Sequence, residues 1–150
     1  MEKKIALFML IGMLLISCSI GAQEREGTMM NVKLRMAFNN DELIIDLYDN
    51  PTARDFLTLL PLTVIMEDYA NTEKITYLPR RLTTDRGAAE TTPASGNFTY
   101  YAPWGNLAVF YRGQGSANGL IILGAIRSGA ERLGQMRSNF TATIEIMEEN

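Results

Sequence analysis

Hydrophobic and polar positions alternate over residues 32–38, with Val32, Leu34, Met36 and Phe38 on one side and Lys33, Arg35 and Ala37 on the other. A period of two with charges on one face predicts a half-buried strand. Asn39-Asn40-Asp41 supplies turn residues, and residues 43–47 form the return strand, so the domain opens with a hairpin. Asn50-Pro51-Thr52 starts a helix: Asn50 caps it, and Pro51 suits the first position, where an N–H would lack a partner anyway. Ala53, Phe56, Leu57 and Leu60 share one helical face, and Pro61 ends the helix. Residues 62–66 predict a short strand, 67–74 a polar connection containing Tyr69, and 75–78 another strand.

Residues 83–96, rich in Thr, Ala, Gly and Pro, read as the longest loop, a length associated with function or mobility. Strands follow at 98–102 and 107–111, joined by a Pro103-Trp104-Gly105 turn. A Gly-rich turn at 113–119 leads to an apolar strand at 120–126. A short helix follows at 128–136, capped by Ser128, and Phe140, Ala142, Ile144 and Ile146 alternate in a last strand. About eight short strands and two short helices, mostly without crossover helices, predict an antiparallel barrel or sandwich with helical caps.

Composition narrows the chemistry. The chain of 150 residues is 47% hydrophobic and 21% charged, an ordinary globular balance. It has no histidine and one cysteine. Ser-His-Asp and Cys-His machinery, a Cys/His zinc site and an intramolecular disulfide are therefore excluded. A net charge of −3 gives no electrostatic reason to expect nucleic acid as a partner. Gly113, Gly115 and Gly119 lie in a stretch without a basic residue that precedes a strand, whereas a phosphate loop opens a helix. No cofactor is expected. Asp41, Glu42, Asp46 and Asp49 fit no cation-loop pattern and read as a solvated hairpin face, so no metal site is expected.

The first residues read as an address. Basic Lys3 and Lys4 precede twelve uncharged, almost wholly apolar residues, 5–16, too few to span a bilayer comfortably. Leu15-Ile16-Ser17-Cys18 resembles the lipobox of bacterial lipoproteins. That resemblance implies a signal peptide over residues 1–17 and a lipidated Cys18 anchoring the protein to a membrane of the bacterial cell envelope. Cleavage after Ala22, which would release a soluble protein, is the alternative. Residues 18–29 read as a flexible tether, leaving 30–148 for one domain.

Within that domain Phe98, Tyr100, Tyr101, Trp104, Phe110 and Tyr111 cluster around Pro103 and Gly105. On a strand Phe98 and Tyr100 share one face while Tyr101 takes the other, and Trp104 at a turn stays partly uncovered. Phe98 and Phe110 suit packing; Tyr101 and Trp104 suit either rim packing or a surface that grips proline or an apolar side chain. One of Arg80 and Arg81 is a fixed donor on the barrel face, or both are solvated cations paired with Glu67 or Asp68.

Three segments in order resemble cyclophilins. Asn50-Pro51-Thr52-Ala53-Arg54-Asp55-Phe56-Leu57-Thr58-Leu59 is similar to their first helix, P-x-T-A-x-N-F-x-x-L. Gly96-Asn97-Phe98-Thr99 is similar to G-D-F-T, and Leu123-Gly124-Ala125-Ile126-Arg127-Ser128-Gly129 to F-G-x-V-x-x-G. Residues 77–82 (Y-L-P-R-R-L) and 100–111 (Y-Y-A-P-W-G-N-L-A-V-F-Y) resemble the small bacterial cyclophilin-like domains. The resemblance implies a closed, eight-stranded antiparallel β-barrel capped by two short helices. It also implies peptidyl-prolyl isomerisation, in which Arg81, the nearest match to the catalytic arginine, would hydrogen-bond the prolyl nitrogen and stabilise the twisted amide. The barrier there is about 18–20 kcal/mol, and no nucleophile is needed to lower it.

The chain departs from that pattern. Phe-His-Arg becomes Pro79-Arg80-Arg81, and the glutamine before G-D-F-T is missing. These losses favour a binding module without efficient catalysis. It would take a peptide segment or small ligand among Arg80, Arg81, Phe98, Tyr101, Trp104 and Phe110. Prolyl isomerase activity through Arg81 and a structural role in an envelope complex are the alternatives.

Overall fold

Strand β1 (Met29–Phe38) turns at Asn39, whose φ of 51° is one that asparagine tolerates, into β2 (Asp41–Tyr48). A computed structural model describes residues 28–85, 91–113 and 115–148. The expected signal peptide, Cys18, the Ala22 cleavage site and the tether through residue 27 lie outside the described residues, as does part of the 83–96 loop. The expected tether ran to residue 29, but Met29 already pairs with Tyr48 in the β1–β2 ladder.

Helix α1 (Pro51–Leu57) follows β2. Asn50 Oδ1 accepts from the Ala53 N–H at 2.9 Å, and Asn50 Nδ2 donates to Ile122 O at 3.0 Å, so one side chain starts the helix and ties it to the barrel. The helix ends at Leu57, short of Leu60, and single turns carry the chain to Pro61. Then come β3 (Leu62–Tyr69), β4 (Glu73–Tyr77), β5 (Asn97–Tyr101), β6 (Asn106–Phe110), β7 (Leu120–Ser128), α2 (Ala130–Leu133) and β8 (Phe140–Ile146). The described strands form a closed antiparallel barrel in the order β1-β2-β7-β5-β6-β4-β3-β8. Closure removes the exposed edges that an open sheet would present.

Two stretches differ from their expected form. Residues 67–74 do not form a polar connection: β3 continues to Tyr69 and β4 begins at Glu73, with Glu67 opposite Ile75 and Asp68 opposite Lys74. Ala70 and Asn71 take φ values of 52° and 55°, a left-handed turn whose twist suits a hairpin. The second helix is a single turn, because β7 stays paired through Ser128, opposite Ile44, and Gly129 rather than Ser128 stands at the cap position.

Inward-facing Leu34, Met36, Leu43, Ile45, Leu47, Met66, Phe98, Tyr100, Leu107, Val109, Leu123 and Ile144 fill the barrel. Phe56 of α1 meets Phe98 edge-on at 5.5 Å between ring centroids and closes one end. Gly124 lets β7 approach β2 closely; a Cβ there would lie 2.3 Å from Asp46 O.

Candidate functional site

Strand β6 is buried on both faces, which a barrel wall with one solvated side would not require. Leu107 and Val109 point inward; Asn106, Ala108 and Phe110 occupy the outer face. Register extends that outer face sideways. Phe110 lies opposite Glu73, Ala108 opposite Ile75, and Asn106 opposite both Tyr77 and Tyr101. Tyr101 in turn lies opposite Leu120 of β7. Of these, Ile75, Ala108, Phe110 and Leu120, with Tyr101 packed on them, form a second, smaller apolar cluster outside the barrel.

Three segments cover it and leave a cavity of about 170 Å³. Tyr69 reaches it from the end of β3, Trp104 from the β5–β6 turn, and Ala117 from the connection before β7. Trp104 is 46% exposed and meets Tyr69 at 5.6 Å and Tyr101 at 5.5 Å, both edge-to-face. Glu73, Asn106 and Phe110 also line the cavity.

The polar groups of this wall are unusual. Glu73 and Asn106 are 7% and 2% exposed, and Glu73 Oε2 and Asn106 Oδ1, both out of water's reach, have no hydrogen-bond partner among the described residues. Asn106 Nδ2 donates to Leu107 O at 3.0 Å. The opposite amide orientation would set two oxygens against each other. Burial pushes the Glu73 carboxyl up from its ordinary 4.5 to about 7. Neighbouring Lys74 gives no relief, since alternation turns it inward. Its ammonium, on a side chain 1% exposed, bonds Asp68 Oδ1 and Met136 O, each at 2.7 Å.

The residues expected to form one site divide into four places. Tyr101, Trp104 and Phe110 line the cavity. Phe98 is fully buried in the barrel core, as its alternation with Tyr101 requires, and does not line it. Arg80 turns to α1: its guanidinium donates to both Asp55 oxygens at 3.0 and 2.7 Å and to Thr58 Oγ1 at 2.7 Å. The Glu67 or Asp68 pairing is therefore not formed by Arg80; hydrogen bonds from Arg80 and the Thr83 N–H hold the Asp55 carboxyl well below the usual range. Arg81 donates to Ala102 O at 2.7 Å and Pro103 O at 3.3 Å, and its stem lies against Gly105. It clamps the turn that presents Trp104 and is not among the cavity-lining residues.

Glu73, Asn106 and Tyr69 were not expected from the sequence. Glu73 reads as a loop residue in a polar run, and the only available clue was Tyr69 inside that run. The acidic residues near the first hairpin do not converge. Asp41, Glu42, Asp46 and Asp49 pair with Arg132, Arg35, Arg127 and Arg54 respectively.

Residues 36–145 match the model of the cyclophilin-like family. The fold is also similar to the solution structure of the hypothetical protein AF2241 from Archaeoglobus fulgidus. That likeness has a TM-score of 0.63 and 16% sequence identity, over 81% of this chain and 98% of that one. No curated protein matches the chain.

Proposed function

The chain belongs to the cyclophilin-like family, and we propose that within it the protein is a binding module that holds a small ligand, or one side chain of a peptide, in the Trp104 cavity. The observation carrying this reading is the pair of buried, unpartnered oxygens on Glu73 and Asn106 beside Tyr101, Trp104 and Phe110. Buried polar groups in folded proteins are nearly always hydrogen-bonded, so each exception needs a cause such as strain, catalysis or a bound group. An apolar wall with a few polar groups is also the usual make-up of a ligand pocket. At about 170 Å³ the cavity is smaller than the pockets of drug-sized molecules, roughly 300–1,000 Å³, so it suits a side-chain-sized group.

Isomerisation through Arg81 is the weaker reading. It needs a guanidinium free to meet a prolyl nitrogen, and Arg81 directs its donors to the Ala102 and Pro103 carbonyls. The test is chemical-shift mapping with X-Pro peptides and small amines or amides. Shifts centred on Tyr101, Trp104, Phe110 and Ala117 support the cavity. Shifts centred on Arg80, or none, refute it. A protease-coupled assay on an Ala-Pro peptide is expected to show no acceleration that depends on Arg81.

The proposed setting is the bacterial cell envelope, through a lipid on Cys18. It is supported by the basic start, the apolar run and Leu15-Ile16-Ser17-Cys18. Cys18→Ala should move the protein from the membrane fraction to the soluble one.

A further inference from the structure

The chemistry of the cavity is one-sided. Of the unpartnered groups, Asn106 Oδ1 is an acceptor, and Glu73 Oε2 is one when the carboxyl is ionised. Among the described residues, hydrogen-bond donors on the wall are few and no lysine or arginine lines it. Nearby cations are engaged elsewhere. Lys74 faces Asp68 and Met136 O inside the barrel, Arg81 holds the 102–105 turn, and Arg112 donates to Asn71 O. The titratable groups among the described lining residues, apart from Glu73, are the Tyr69 and Tyr101 phenols. A buried carboxyl bordered by aromatic rings is complementary to a group with N–H donors and a positive charge.

We propose that the cavity binds an alkylammonium group, the protonated form of a primary or secondary amine. Its N–H donors meet the Glu73 carboxylate at one end of the cavity, and its carbon chain lies against Tyr101, Trp104 and Phe110. The proposal rests on reading the cavity as a ligand site and adds what the ligand is. Size agrees: about 170 Å³ exceeds the roughly 150 Å³ that accommodates benzene, so an amine of about five to seven heavy atoms fits. The same ammonium chemistry occurs in a free small amine and at the end of a lysine side chain. Docking a cation also favours the ionised carboxylate, so binding below about pH 7 releases a proton from Glu73.

The test titrates the full chain in an amine-free buffer and follows the emission of Trp104, its single tryptophan. The probes are n-butylammonium, the neutral n-butanol and butyramide, and an acetylated, amidated Gly-Lys-Gly peptide. An ammonium probe should bind about tenfold or more tightly than n-butanol, consistent with hydrogen bonds to a charged group. Its affinity should rise as pH increases from 5 to 7 and then level off. In Glu73→Gln the ratio of ammonium to butanol affinity should fall towards one. Saturation by n-butylammonium supports the proposal with a free amine as sufficient ligand; saturation by the lysyl peptide alone supports it with a protein side chain as ligand. Neutral probes binding as well as ammonium ones, ammonium affinity flat between pH 5 and 7, or an undiminished ratio in Glu73→Gln would each overturn the ammonium assignment. These results leave the cavity reading intact. If no probe of either charge perturbs Trp104, the cavity reading falls as well.

Discussion

Replacing Glu73 with Gln should remove a pH dependence of stability that the wild-type chain carries. The folded protein holds this carboxyl at about 7 against an ordinary 4.5, because burial strips the carboxylate of water while no cation among the described residues lines the cavity. A carboxyl raised on folding binds its proton more tightly in the native state. Its contribution to stability is complete below about pH 4.5, declines as pH rises through about 7, and is absent above that. At about 1.36 kcal/mol per pH unit the full difference is about 3.4 kcal/mol. The side chain lines a cavity bounded by half-exposed Trp104, so solvent screening reduces this to roughly 1–2 kcal/mol. Glutamine keeps the volume and removes the titration. The measurement is urea unfolding of both proteins at pH 5 and pH 8, without amines in the buffer. Taking the difference between variant and wild type cancels groups of opposite slope, Asp55 among them. The stability of the variant relative to wild type should rise by roughly 1–2 kcal/mol from pH 5 to pH 8, or about 4–8 °C in Tm for a domain of this size. Parallel pH curves for the two proteins would refute the claim that burial, unrelieved by a partner, sets the state of Glu73.

Three further outcomes follow from other contacts. Arg81→Ala releases the Ala102 and Pro103 carbonyls, so Trp104 emission should shift to longer wavelength and any cavity ligand should bind several-fold more weakly; an unchanged spectrum would contradict the clamp. Asp55→Asn weakens the bonds from Arg80 and the Thr83 N–H and should cost about 1–2 kcal/mol at pH 7 in denaturant titration. Because the Asp55 carboxyl is depressed on folding, wild type loses this advantage as pH falls below the ordinary carboxylate range, and the two proteins should converge there. Gly124→Ala drives a methyl group into Asp46 O and should destabilise the barrel by about 3 kcal/mol or more, read as a fall in Tm.

The barrel was legible where one face of an element is dry and the other wet. Residues 32–38 and Phe140–Ile146 alternate cleanly, and Asn50-Pro51 marks a helix start whose cap is local. The β3–β4 hairpin was not legible, because its polarity is relieved by residues distant in sequence. Lys74 is buried against Asp68, Tyr111 and Met136, and Glu73 under Trp104 and Phe110, so a run that reads as solvated is enclosed on both sides. The site was legible in part for the same reason. Strand alternation separates Tyr101 from Phe98, and the turn residues around Trp104 mark it as partly uncovered. Arg80 and Arg81 carry no such signal. Charge says that a guanidinium seeks acceptors; only the packing of α1 and the 102–105 turn says which ones.

A partition one strand thick has an evolutionary consequence. Leu107 and Val109 of β6 belong to the barrel's own core, whereas Asn106, Ala108 and Phe110, interleaved with them, furnish a separate chamber. Selection can therefore rewrite every second residue of this strand, altering what the chamber admits while the foundations hold. Relatives that share the scaffold are free to diverge in the lining of this chamber through a few outward positions while the barrel core stays the same.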